Sequence, residues 1–174
     1  MNQHDRTTRV FAAVLAIGGI FGVVSIAKAL YWGIGETYFR PVGIGVGEFL
    51  LFGFAGLFVW TIDTGVAAWQ GTPSGRRWAV ILFASQIPVF NMPAVKFWWT
   101  SGVSLVPYIT LGADFRPTAN LNFSWLLGAS YSVRLFGRAT EQYFIGANLF
   151  AVLAVILLVR AWKRPRQIRV EEVF

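Results

Sequence analysis

The sequence predicts a membrane protein, mainly α, with four transmembrane helices and a small antiparallel β segment between the third and fourth helices on the outer face. Three observations predict it. Of the 174 residues, 56% are hydrophobic and only 13% are charged, which is about half the charge of an ordinary soluble domain. Four apolar runs approach the roughly 20 residues that cross a hydrocarbon layer. Most of the lysine and arginine flanks those runs, where it orients spans across a membrane.

The first run, Val10 to Trp32, carries one charge, Lys28, and the second, Val42 to Trp60, carries only Glu48. The third, Trp78 to Val95, has no charge but contains Ser85, Gln86 and Asn91 and is interrupted by Pro88 and Pro93. The fourth, Tyr143 to Val159, has one polar amide, Asn148. With their flanks these predict helices over about 10–32, 42–68, 78–96 and 143–162 in a single membrane domain. Placing both ends inside puts Arg6, Arg9, Arg76, Arg77, Arg160, Lys163, Arg164, Arg166 and Arg169 on the cytoplasmic side. Lys28, Arg40, Lys96, Arg116, Arg134 and Arg138 are left outside. The bias predicts a multi-pass protein of a bacterial-type inner membrane, both termini cytoplasmic, with the lipid bilayer as its first partner. Ala27-Lys28-Ala29 matches a signal-peptide cleavage pattern, but the apolar stretch before it exceeds the usual core of about 7–15 residues. Tryptophans near the helix ends read as an interfacial belt.

Between the third and fourth runs the period changes. Leu121, Phe123, Trp125 and Leu127 alternate with Asn122, Ser124 and Leu126; beyond Gly128, Tyr131, Val133 and Leu135 alternate with Ser130, Ser132 and Arg134. Val103, Leu105, Ile109 and Leu111 alternate earlier, and Gly112 to Ala119 reads as the turn between. This predicts a β segment over about 101–137. Two or three strands are marginal alone, so the segment must lean on something. Its candidate contact residues are Leu121, Phe123, Trp125, Tyr131, Val133 and Leu135, and a second membrane protein or another copy of the chain is the expected partner.

Lys28, Glu48, Gln86 and Asn91 are the candidate intramembrane polar residues, because charge and amide at depth carry a cost. Lys28 and Glu48 are expected at similar depth on neighbouring helices, within pairing reach, and Asp63 near Arg76 or Arg77. Gly18 and Gly22 form a small-xxx-small pair of the kind that brings helices together. Gly43-x-Gly45-x-Gly47 lacks the lysine and Ser/Thr partner of a phosphate loop. There is no cysteine, and His4 is the sole histidine, so no metal, haem or other cofactor is expected. No nucleophile–base–acid set can be assembled, and the basic tail lacks a folded platform for nucleic acid. The expectation is a non-enzymatic accessory or assembly subunit that contacts its partner through the outer β segment. The alternative is a small transporter or lipid-handling protein with a polar cavity between helices.

Overall fold

The structure is a computed structural model that describes residues 3–37, 46–93, 95–112, 116–135 and 143–163. Two long helices, α1 (Gln3–Thr37) and α2 (Val46–Trp69), lie side by side. Their approach is close because α1 turns glycines toward α2: a Cβ at Gly22 would overlap the Phe58 ring, and one at Gly19 would sit 2.8 Å from the Phe58 carbonyl. Gly71, at φ +81°, closes α2. The Gly71 and Thr72 N–H groups donate back to the Ala68 and Ala67 carbonyls at 3.0 and 3.1 Å, which satisfies carbonyls the helix end would otherwise leave open.

Thr72 then starts α3 (Pro73–Ser85), accepting from the Gly75 N–H at 3.1 Å, with Pro73 in the first turn where its missing N–H matters least. The helix stops at Gln86 because Pro88 has no N–H to donate and disfavours helical backbone in the residue before it. The chain continues as β1 (Pro88–Asn91), β2 (Val95–Leu111), β3 (Pro117–Leu135) and β4 (Tyr143–Ala147), and ends the described region as α4 (Leu149–Lys163).

The four strands form one antiparallel sheet in the order β1-β4-β2-β3, and β1 also pairs with β2. That extra pairing fixes the shape. Phe90 of β1 lies opposite Phe97 at the start of β2 and opposite Ile145 of β4, while Ile145 also lies opposite Ile109 near the end of β2. A straight strand would separate residues 97 and 109 by about 40 Å, whereas three ladder spacings amount to about 15 Å. The long β2/β3 ribbon must therefore fold back on itself. The fold falls at the paired glycines Gly102 and Gly128, with φ of +102° and +131°, where side chains other than glycine would be strained. Trp98 from the near arm and Tyr108 from the far arm both pack on Phe144 between the arms, with ring centroids 6.2 and 5.2 Å away. The bend presses against α1, since a Cβ at Gly102 would lie 2.6 Å from the Val14 carbonyl. Phe11, Leu15, Phe58, Leu82, Phe83 and Trp99 form the centre of the apolar core.

This mixed α/β architecture overturns the four-span helical bundle. The third run divides into α3, β1 and the start of β2, and the fourth divides at Asn148 into β4 and α4. α3 has 13 residues and the described part of α4 has 15, about 20 and 22 Å of helix at the standard rise, against a hydrocarbon layer of about 30 Å. Among the described residues, two helical stretches, Arg6–Tyr31 and Leu50–Trp69, have the length and hydropathy of a span. The interior also buries Asn91, and it buries Gln86, Thr100, Ser101, Ser104 and Asn148 in a polar seam joined to the strands. The multi-pass inner-membrane location with both termini cytoplasmic rested on counting spans, and it falls with them. So do the lipid bilayer and membrane-protein partners, the membrane accessory role and the transporter alternative. The physical reason is that hydropathy does not carry period: a run that turns from helix to buried strand has the same hydropathy throughout.

Candidate functional site: an uncovered sheet face

The folded ribbon separates its side chains by parity. Even-numbered residues such as Trp98, Thr100, Ser104 and Val106 point between or beneath the arms and are largely buried. Odd-numbered residues point outward on both arms. On the near arm, Trp99 and Tyr131 pack on α2, with ring centroids of Trp99 and Phe58 6.1 Å apart and of Tyr131 and Phe54 5.0 Å apart. On the far arm the same face has no cover among the described residues. Leu105, Ile109, Leu121, Phe123, Trp125 and Leu127 are all exposed there, Trp125 by 79%, and Ile145 of β4 extends the patch. Register makes it continuous, because Leu105 lies opposite Trp125 and Ile109 opposite both Leu121 and Ile145. β3 is also the sheet's edge.

The six residues predicted as one contact surface therefore divide. Leu121, Phe123 and Trp125 share the uncovered face. Tyr131 lies on the other side of the bend against Phe54 and Phe58, where burial pushes its phenol above the ordinary value and keeps the ring neutral. The side chains of Val133 and Leu135 lie outside the described residues. Leu127, Leu105, Ile109 and Ile145 belong to the patch and were not among the predicted contacts. The alternation of residues 103–111 carried the signal for two of them; Ile145 was hidden by the reading of its segment as helix.

The predicted polar residues are found in different surroundings. Lys28 is exposed on α1, Asp63 is exposed on α2, and the side chain of Glu48 lies outside the described residues, so the proposed pairing with Lys28 does too. Gln86 and Asn91 are fully buried. Gln86 Oε1 accepts from the Ser101 N–H at 3.0 Å and from the Thr100 hydroxyl at 3.5 Å, which ties the end of α3 to β2. Asn148 ties β2 to α4: its Oδ1 accepts from the Leu105 N–H at 3.2 Å and the Ala151 N–H at 3.4 Å. Its own N–H donates to the Ile87 carbonyl at 2.9 Å. Asn148 is thus a helix cap that also holds a strand. Gln86 Nε2, Ser101 Oγ, Ser104 Oγ and Asn148 Nδ2 are buried without a hydrogen-bond partner among the described residues, leaving capacity unused inside the seam.

The seam is a structural fastening, and its loss has a measurable consequence. Gln86→Leu keeps approximate volume but strands the buried Ser101 N–H, a loss of about 1–3 kcal/mol. At about 2–4 °C per kcal/mol for a chain of this size, a thermal scan should show the midpoint falling by several degrees. An unchanged midpoint would remove Gln86 from the fastening.

Among the described residues, no three His, Cys, Asp or Glu side chains gather closely enough to hold a metal ion. Comparison of the chain with family models, with curated proteins and with solved structures finds no match, so its reading rests on its own residues.

Proposed function

We propose that the chain is a protein-binding domain whose far-arm sheet face accepts an apolar helix of another protein. The observation that carries this reading is the contrast between the two arms: one continuous odd-residue face is covered by α2 on the near arm and, among the described residues, bare on the far arm. A helix laid on the far arm would extend the packing that α2 begins. Phe123 and Trp125 supply the large aromatic anchors that dominate such contacts, and Leu105, Ile109 and Leu121 surround them. The reading assigns binding and no chemical reaction.

The test places a photo-reactive phenylalanine analogue at position 123 or 125 and maps what it captures in native extract. Support is one protein captured from both positions through a single apolar helical segment, with affinity at least about thirtyfold weaker for Trp125→Ser. Trp125 is so exposed that its substitution should leave the unfolding midpoint unchanged. Crosslinks confined to a second copy of the chain, or capture that survives Trp125→Ser, overturn the proposal.

A further inference from the structure

Away from the far arm, α2, α3 and β2 enclose an open cavity of about 400 Å³. Its walls are Phe54, Leu57 and Trp60 from α2, Ile81 and Leu82 from α3, and Trp99 from β2. Among the described residues that line it, none is charged. The one hydroxyl among those described residues, Ser85, already donates to the Leu82 carbonyl at 2.8 Å, and the Trp99 indole N–H donates to the Ser85 carbonyl at 3.0 Å. A ligand would therefore find rings and alkyl groups and few free polar groups. Gly53 also lines the cavity, and a Cβ built on it would meet nothing within 4 Å. A glycine in a helix interior weakens the helix relative to alanine by about 0.5–1 kcal/mol, and here its missing side chain keeps volume open.

We propose that this cavity is a binding site for a neutral aromatic molecule of two or three rings. The described lining disfavours an ion: an anion or cation would leave water for walls that offer it no counter-charge. Size sets the ring count, since a cavity of about 150 Å³ holds one benzene and this one is between two and three times larger. Aromatic walls favour a ring system through offset and edge-to-face contacts. The site is separate from the sheet face, so either proposal can fail alone.

The experiment titrates the purified full chain with N-phenyl-1-naphthylamine, a neutral three-ring fluorophore. The expected result is saturable one-to-one enhancement. Gly53→Leu should fill the cavity from α2 and weaken binding at least about tenfold. Gly56→Leu is the matched control. It lies on the same helix, its added Cβ also meets nothing within 4 Å, and it does not line the cavity, so affinity should stay within about twofold of the parent. Ile81→Trp, which fills the cavity from α3, serves if Gly53→Leu does not fold. Enhancement that never saturates, or that survives both filling substitutions, overturns the site. Loss in Trp125→Ser with retention in Gly53→Leu would show the probe on the sheet face and overturn it equally.

Discussion

Gly18→Ala is expected to destabilise the domain by about 3 kcal/mol or more, at the upper end of what an added methyl costs in a packed interior. The new Cβ would overlap the Gly102 amide nitrogen and the Ser101 carbonyl carbon. Both are backbone atoms of β2 beside the ribbon's bend, and neither can rotate away as a side chain would. Relief requires α1 to lift off the sheet, and α1 also carries Phe11, Leu15 and Ile26 into the core. The contact is mutual, because a Cβ at Gly102 would lie 2.5 Å from a Val14 methyl. A thermal scan should show a midpoint lower by about 6–12 °C, taking about 2–4 °C per kcal/mol. Gly53→Ala adds the same methyl to a helix where it meets nothing, and should raise the midpoint slightly. If both substitutions had the same effect, the helix-on-strand contact would be absent.

Trp99→Ala should cost about 3–5 kcal/mol, the usual loss for emptying a buried indole. Trp99 is 2% exposed, stands edge-on to Phe58, and donates from its indole nitrogen to the Ser85 carbonyl at the end of α3. One side chain thus joins β2 to both α2 and α3. Trp99→Phe separates the two contributions. It keeps a ring against Phe58 but loses the donor, so it should recover most of the stability and leave a deficit of about 1 kcal/mol. Denaturant midpoints at unchanged slope would measure both values. Equal losses for alanine and phenylalanine would mean that the hydrogen bond, rather than the ring, carries the position.

Local pattern made some of this legible. Alternation from Leu121 to Leu127 and from Val103 to Leu111 reads as strand, and both segments lie in strands. Gln86 and Asn91 stand out as amides in an apolar run, and the structure buries both. What misled was hydropathy without capping chemistry. Thr72-Pro73 is a helix start and Pro88 a helix stop, yet hydropathy alone makes the run between them and beyond one bent span. By hydropathy Asn148 is a lone amide inside a helix, although an asparagine directly before an apolar run is also a cap. The spacing of Gly18 and Gly22 predicts a helix-pairing motif. Gly22 does face α2, but Gly18 faces a strand, and sequence spacing does not distinguish the two. Gly128 reads in the sequence as a tight turn or a bulge inside one long bent strand, but how it divides the contact residues depends on a bend shared with Gly102 across the ladder.

The doubled-back ribbon also has a consequence for how the chain folds. β2 and β3 are neighbours in sequence and can zip locally, but the ring of pairings among β1, β2 and β4 closes only when Phe90 meets Ile145. The whole ribbon lies between those two residues. Closing that loop loses chain entropy before any of its contacts form, which places it among the slow, non-local events of folding. Until it closes, the β1 and β4 edges and the apolar far arm stand open together. The interval before ring closure is when the chain is most prone to aggregate.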